Sequence, residues 1–183
     1  VNFCARAYPT VSSGHPDAPI LSVLAAYLRN GFLHRSIREQ GGAYGGGASH
    51  DGNVGAFRFF SYRDPRNLAT LADFDASIAW VLSAEPDSLA LEEAILSVIS
   101  SLDKPASPSG EVKKAFYDGL YDRTADHKRA LRESIVSTTL EDLRRVANTY
   151  LNPEFGCSVI LTDPKTAASP ALVDLGWTHH DLA

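Results

Sequence analysis

The chain has 183 residues and a formal net charge of −5, with 17 lysines and arginines against 22 aspartates and glutamates. Its hydrophobic fraction of 44% and charged fraction of 21% are ordinary for a globular protein and exclude a disordered or fibrous chain. The acidic balance argues against nucleic acid as the main partner. Even an uncharged stretch as long as residues 18–28 is far too short to span a membrane.

The first third of the sequence predicts a strand, a long helix and a hairpin. Residues 1–9 alternate in the manner of a strand. Prolines and an aspartate at 16–19 open a helix whose apolar positions keep a helical period through Ile37. A glycine-rich segment, the turn signal at 51–53 and an aromatic run at 54–62 then predict an antiparallel hairpin.

The rest of the sequence predicts mostly helices. We expect one helix from Asn67 and a second one after a break at 85–88. Further helices are expected over 112–121 and from the capping pair Thr139 and Asp142 to Leu151. A loop is expected at 104–110 and a last strand at 155–161. Helices outnumber strands, and the strands pair as hairpins. The expected fold class is therefore α+β, a two-layer domain with helices on one face of a mostly antiparallel sheet.

The expected organisation is a single domain over 1–183, with 164–183 as a C-terminal tail. The sequence begins at Val1 and contains no methionine, which predicts a piece of a longer protein. Cys4 and Cys157 lie in apolar runs and are expected to be small buried hydrophobes, although a disulfide between them stays open.

Familiar catalytic motifs do not occur in the sequence. Gly41 and Gly46 have the spacing of a phosphate-binding loop, but Gly47 and Ala48 stand where that loop needs lysine and a hydroxyl residue. The six histidines form neither H-E-x-x-H nor H-x-x-E-H, so no metal site is predicted in this chain. A G-x-S-x-G serine nucleophile is also missing.

The best candidates for chemistry are Arg38 and Tyr44, on either side of a glycine-flanked turn. Their guanidinium and hydroxyl groups are donors suited to carbonyl oxygens or an oxyanion. Two ordinary structural roles compete with this interpretation. Arg38 would complement the dipole at a helix C-terminus, and Tyr44 would be a half-buried strand residue.

Two motifs resemble the last domain of the presequence proteases, in the insulinase–pitrilysin superfamily of zinc metallopeptidases. They are the run LHRSIREQGGAYGG at 33–46 and the run FSYRDP at 60–65. The resemblance is tight over residues 1–71 and looser beyond. It implies the metallopeptidase-like α+β fold, as the fourth domain of a clamshell endopeptidase that degrades unstructured peptides.

The same resemblance implies site residues and partners. Arg38 and Tyr44 would act on the substrate and its oxyanion, and Gly41, Gly42 and Arg35 would contribute to substrate binding. The catalytic zinc would lie in another domain of the full-length enzyme, on an H-x-x-E-H helix, with none in this chain. The partners would be peptide substrates and the N-terminal half of the same enzyme, without nucleic acid or membrane.

Two other functions remain open at this point. The chain could be a non-catalytic structural or partner homologue of this fold, or a module that binds peptides at a sheet edge. Acidic composition and few cysteines favour a cytoplasmic setting, with a mitochondrial matrix or a bacterial envelope compartment as alternatives.

Overall fold

The sheet is antiparallel and has four strands. A computed structural model describes residues 1–83, 87–121 and 123–181. Its strands are Asn2–Pro9 (β1), Gly45–Asp51 (β2), Ala56–Asp64 (β3) and Cys157–Leu161 (β4), in the order β2-β3-β1-β4. The predicted β2–β3 hairpin and the α+β fold class are confirmed.

Helical segments make up most of the remaining described chain. A π-helical segment, Arg29–Gln40, continues directly from the first helix. The α-helices are Asp17–Leu28 (α1), Leu68–Ser83 (α2), Ser88–Leu102 (α3), Pro108–Leu120 (α4), Ala125–Val136 (α5), Leu140–Tyr150 (α6), Pro164–Ala167 (α7) and Pro170–Val173 (α8).

The π segment differs from the single α-helix predicted through Ile37. Its buried residues include Leu33 and Ile37, four positions apart. That spacing fits an α-helical and a π-helical turn almost equally well, so periodicity alone could not separate them. Residues 84–86, where part of the predicted break between α2 and α3 falls, lie outside the described residues. Asp87 caps α3 by accepting a hydrogen bond from the Ala90 N–H.

Several boundaries in the second half also differ. The predicted loop at 104–110 is shorter, because Ser107 caps α4 and Pro108 occupies its first turn. The last strand begins at Cys157 rather than at 155, because a short 3₁₀ turn, Pro153–Phe155, precedes it. Helix α5 was not predicted. The segment predicted as a tail contains α7 and α8, and its Leu172 is buried.

The core lies between the sheet and the helices. Helix α1 is buried along nearly its whole length and shares one apolar cluster with Phe57 and Phe59 of β3 and with Leu143 and Val146 of α6. Full burial of one such side chain stabilises the fold by about 1.5–3 kcal/mol. Cys4 belongs to the same cluster, as predicted.

The opposite face of the sheet carries exposed apolar side chains. Phe3 pairs with Leu161 across β1 and β4, and both are exposed, as is Val159. Cys157 is also exposed, so its predicted burial is wrong, and both thiols are free. Strand β4 lies at the sheet edge with alternating exposure, and Cys157 falls on the uncovered side.

Helix α4 makes no contribution to the buried core. None of its residues is buried, and its apolar side chains Val112, Phe116 and Leu120 are exposed. Across the part of the chain that the structure describes, no helix has both the length and the apolar character that crossing a bilayer requires.

Candidate functional site

The predicted site lies on the turn between the π segment and β2. Arg38 is in the last turn of the π segment. The Gly42 N–H donates to the Arg38 carbonyl oxygen at 3.1 Å, and the Ala43 N–H donates to the Ile37 carbonyl oxygen at 3.1 Å. These two bonds fold the chain back at once, so Arg38 and Tyr44 lie on the two arms of one short, fixed turn.

Gly42 gives this turn its shape. Its φ is +78°, in the left-handed region that residues other than glycine rarely adopt. The turn predicted between Arg38 and Tyr44 therefore bends at Gly42.

Tyr44 directs its phenol towards solvent. Its side chain is 64% exposed, which excludes the half-buried strand position considered as the alternative. Its ring lies 5.6 Å from the Tyr62 ring between centroids, and the Arg63 Cζ lies 5.8 Å from its centroid. The Tyr44 N–H donates to the Arg63 carbonyl oxygen at 3.4 Å. Within the residues that the structure describes, the Tyr44 hydroxyl has no hydrogen-bond partner and can serve an external acceptor, while its ring lies against Tyr62 and Arg63.

Arg38 and Arg35 are both exposed. Within residues 1–83, 87–121 and 123–181, neither guanidinium forms an ion pair or a side-chain hydrogen bond. Both are therefore available to an external acceptor. Arg38 is the closer to Tyr44 along the hydrogen-bonded turn, whereas Arg35 lies one helical turn earlier. The choice of Arg38 over Arg35 stays a prediction.

Packing within the chain requires glycine at position 41. A Cβ at this position would collide with the guanidinium of Arg66 and would lie 2.5 Å from the Ile37 carbonyl oxygen. Arg66 donates from this space to the Ser36 carbonyl oxygen at 3.3 Å and to the Asp73 carboxylate at 2.9 Å. A direct contact of Gly41 or Gly42 with substrate stays a prediction.

Three residues of this site were missed by sequence reasoning. Tyr62, Arg63 and Arg66 lie at the end of β3 and just beyond it, against Tyr44 and Gly41. The motif at 60–65 contains Tyr62 and Arg63 and points to the family, not to a site, whereas Arg66 lies just beyond it. The sequence pattern assigned only Tyr62 to the predicted strand at 54–62 and left Arg63 and Arg66 in the connection before the next helix.

The described residues do not offer a zinc site. No three or more histidine, cysteine, aspartate or glutamate side chains come together there in a way that could hold a metal ion. Two histidines on the elements that flank the turn have other contacts. His34 Nδ1 lies 3.3 Å from the Glu39 carboxylate, and His50 Nε2 lies 3.3 Å from the Val11 carbonyl oxygen, where burial lowers the pKa of His50.

Strand β2 begins directly after Tyr44 and forms one edge of the sheet. An edge strand presents backbone donors and acceptors that have no partner strand. Gly45, Gly46 and Gly47 leave the start of this edge almost without side chains, although the aliphatic part of Arg29 lies against Gly47. A backbone approaching Tyr44 would therefore meet β2 next.

Comparisons with known proteins identify relatives of this chain. A family profile described as PreP C-terminal domain matches residues 1–161. The mitochondrial presequence protease of Kluyveromyces lactis is 41% identical over 158 residues, which cover 84% of this chain and 16% of that protein. The mitochondrial presequence protease of Xenopus laevis is 40% identical over 153 residues, covering 82% of this chain and 14% of that protein.

A solved structure supports the same fold at lower identity. The peptidase M16 inactive domain from Pseudomonas fluorescens is 20% identical, with a TM-score of 0.70 over 87% of this chain and 40% of that one. The chain spans no more than 16% of the length of the two curated relatives. Since the profile nevertheless matches most of the chain, the chain belongs to the family of presequence protease C-terminal domains.

Proposed function

We propose that this chain is the substrate-clamping C-terminal domain of a zinc-dependent endopeptidase that degrades unstructured peptides. The observation that carries the proposal is the open phenol of Tyr44, held on a fixed turn with the exposed Arg38 on its other arm. Donors on a rigid support suit an oxyanion, because they need no rearrangement when charge develops.

In this proposal each donor has a separate task. The Tyr44 hydroxyl donates a hydrogen bond to the oxygen of the scissile carbonyl as negative charge builds there. Arg38 binds a neighbouring carbonyl of the same peptide and keeps it in register with Tyr44. The described residues do not provide a metal site, so the zinc chemistry would belong to another domain and this chain alone would be inactive.

The comparisons support a large multidomain parent. The curated relatives are several times longer than the matched region. The N-terminal half of the same enzyme would then close over Arg38 and Tyr44 with the peptide between the two halves. The relatives are named mitochondrial, which favours the mitochondrial alternative over the cytoplasmic setting expected from composition.

Two rival functions differ from this proposal in what they require of Tyr44. A non-catalytic homologue would need the fold but not the phenol. A peptide-binding module would use the edge of β2, where main-chain hydrogen bonds supply affinity. In that case the Tyr44 hydroxyl would affect binding little and turnover not at all.

The deciding experiment uses the complete zinc-loaded peptidase and an unstructured peptide. Tyr44→Phe should lower kcat roughly 10²–10³-fold, the usual effect of removing one oxyanion donor, with KM nearly unchanged. Arg38→Ala should lower kcat and raise KM, because Arg38 contacts the peptide already in the ground state. Arg35→Ala should be milder than Arg38→Ala if Arg38 has the main role.

Tyr117→Phe is the matched control, since Tyr117 is a half-exposed tyrosine on α4 and outside the site. It should leave both constants unchanged. Wild-type kcat for Tyr44→Phe would overturn the proposed catalytic role. The binding-module alternative would be favoured if Tyr44→Phe kept wild-type kcat and substitutions along β2 raised the Kd for the peptide.

A further inference from the structure

The pairing of β1 with β3 is irregular next to Tyr44. Asn2 pairs with Asp64 and Cys4 pairs with Ser61, so Tyr62 and Arg63 together lie opposite the single residue Phe3. This is the arrangement of a β-bulge, which inserts one extra residue into one strand. Bulges bend a strand and re-aim its side chains, and they are frequent beside active sites.

Arg63 adopts an unusual backbone conformation within this bulge. Its φ is +49°, and among the described residues it is the only one other than glycine with a positive φ. A bulky side chain in the left-handed region is strained and persists only where the surrounding structure requires it. The strain at Arg63 therefore calls for a physical reason.

The contacts of Tyr44 supply that reason. In a regular strand, consecutive residues point to opposite faces of the sheet. Here the consecutive residues Tyr62 and Arg63 both reach the Tyr44 ring, at 5.6 Å between ring centroids and 5.8 Å from Cζ to centroid. The Arg63 carbonyl oxygen also accepts the Tyr44 N–H at 3.4 Å. The bulge therefore places the side chains of two consecutive residues, Tyr62 and Arg63, against the ring of Tyr44.

The far side of the bulge is firmly anchored. Asp64 is fully buried, and its carboxylate accepts from the Thr70 hydroxyl at 2.7 Å and from the Arg66 N–H at 2.9 Å. The Asn2 amide donates to the Asp64 carbonyl oxygen at 3.1 Å. With Asp64 fixed in the core, the strand resumes its register and the distortion is confined to Tyr62 and Arg63.

We propose that Arg63 is a positioning residue for Tyr44. Its guanidinium over the ring restrains the phenol through a cation–π contact, and its carbonyl oxygen fixes the Tyr44 backbone. The proposal rests on the proposed function, because it assigns Arg63 a task in aiming the hydroxyl at the substrate. Arg63 itself does not touch the reacting atoms.

The test separates the side chain of Arg63 from its backbone conformation. Arg63→Gly keeps the left-handed conformation at no steric cost, so the melting temperature of the complete peptidase should equal or exceed that of the wild type. Its kcat should nevertheless fall roughly two- to fivefold, the change that a cation–π contact at an exposed site corresponds to, with KM unchanged. Arg63→Lys keeps the cation and should restore part of kcat.

A second background shows whether Arg63 acts through Tyr44. In a Tyr44→Phe enzyme, Arg63→Gly should cause no further loss of kcat, since no hydroxyl is left to aim. An equal loss in both backgrounds, or a rise in KM, would mean that Arg63 contacts the peptide directly and would overturn the positioning role. Full kcat for Arg63→Gly in the otherwise wild-type enzyme would overturn it too.

A crystal structure of the Arg63→Gly protein distinguishes this inference from the proposed function. A displaced or disordered Tyr44 ring supports the positioning role whatever the activity of Tyr44→Phe. An unmoved ring overturns it. A normal kcat for Tyr44→Phe would refute the catalytic proposal alone.

Discussion

The guanidinium of Arg66 fills the space in which any residue other than glycine at position 41 would place its Cβ. From there it bonds to the Ser36 carbonyl oxygen of the π segment and to the Asp73 carboxylate of α2. The end of the π segment, which carries Arg38, is thereby tied to the helix that follows β3. The missing side chain of Gly41 thus stabilises the site indirectly.

A first prediction concerns this contact. Gly41→Ala should reduce the free energy of unfolding by roughly 1–3 kcal/mol, because the methyl group must displace Arg66 from a packed position. The measurement is a urea titration of the chain. Gly119→Ala is the control, since nothing lies within 4 Å of a Cβ there and alanine is the better helix former. Equal stabilities for Gly41→Ala and the wild type would contradict the interpretation.

A second prediction concerns the left-handed turn. Gly42→Val should cost roughly 1–3 kcal/mol, because a β-branched residue is strained at φ +78°. Gly42→Asn should cost less, since asparagine tolerates this region better. Thermal unfolding of the two variants gives the comparison, with Gly14→Ala, in open space, as the control. A valine variant as stable as the asparagine variant would refute it.

A third prediction follows from the ionisation of Asp17. Its carboxylate accepts from Arg145 at 2.8 Å and from the Tyr150 hydroxyl at 2.8 Å. The Arg145 hydrogen bond is the main cause of a lowered pKa for Asp17, with partial burial opposing it and Tyr150 adding to it. Because the folded state favours the carboxylate, its stabilisation is present above the unfolded pKa of about 3.9 and is lost as pH falls through the lower folded pKa.

Asp17→Asn should therefore reduce the free energy of unfolding at pH 7 by roughly 1.5–3 kcal/mol, as expected for hydrogen bonds to a charged group. The difference from the wild type should narrow as pH falls below about 4. Asp126→Asn provides the control, because its ion pair with Arg129 is highly exposed. A difference that stays constant down to pH 2 would show that the charge of Asp17 does not matter.

A fourth prediction distinguishes the two thiols. Cys4 is buried, and burial is the main reason that its pKa is raised, whereas Cys157 is exposed. Thiolate is the reactive form, so the native chain should take up one equivalent of a maleimide rapidly and a second only after unfolding. Mass spectrometry gives the count, and Cys157→Ser should abolish the rapid reaction. Two rapid equivalents would show that Cys4 is accessible.

The sequence predicted the parts of this fold that depend on local pattern. Alternation and the turn signal at 51–53 predicted the hairpin, and the capping pair Thr139 and Asp142 predicted the start of α6. Helix α5 was missed because it buries only Ile135, which leaves little apolar periodicity. Its local signals were the cap at Thr124, which accepts a hydrogen bond from the His127 N–H, and Asp126 in its first turn.

The residues of the candidate site were likewise predictable only where the local sequence carries a signal. Arg38 and Tyr44 were candidates because of their donor groups and the glycines between them, and the resemblance to the presequence proteases implied their roles. The role of Arg63 could not be predicted, because an arginine in a left-handed conformation has no residue-type signature of the kind that glycine or asparagine gives. Its conformation depends on long-range contacts, namely those with Tyr44 and the pairing of Asn2 with Asp64, which are 62 positions apart.

The lack of buried residues in α4 has a consequence for the order in which the chain opens. A helix with little tertiary packing is held mainly by its own backbone bonds, so its amide protons should exchange with solvent through local opening. The amides of α1, by contrast, lie in the core cluster and should exchange only when the whole fold opens. Proteases acting on the native chain should accordingly cut first around α4.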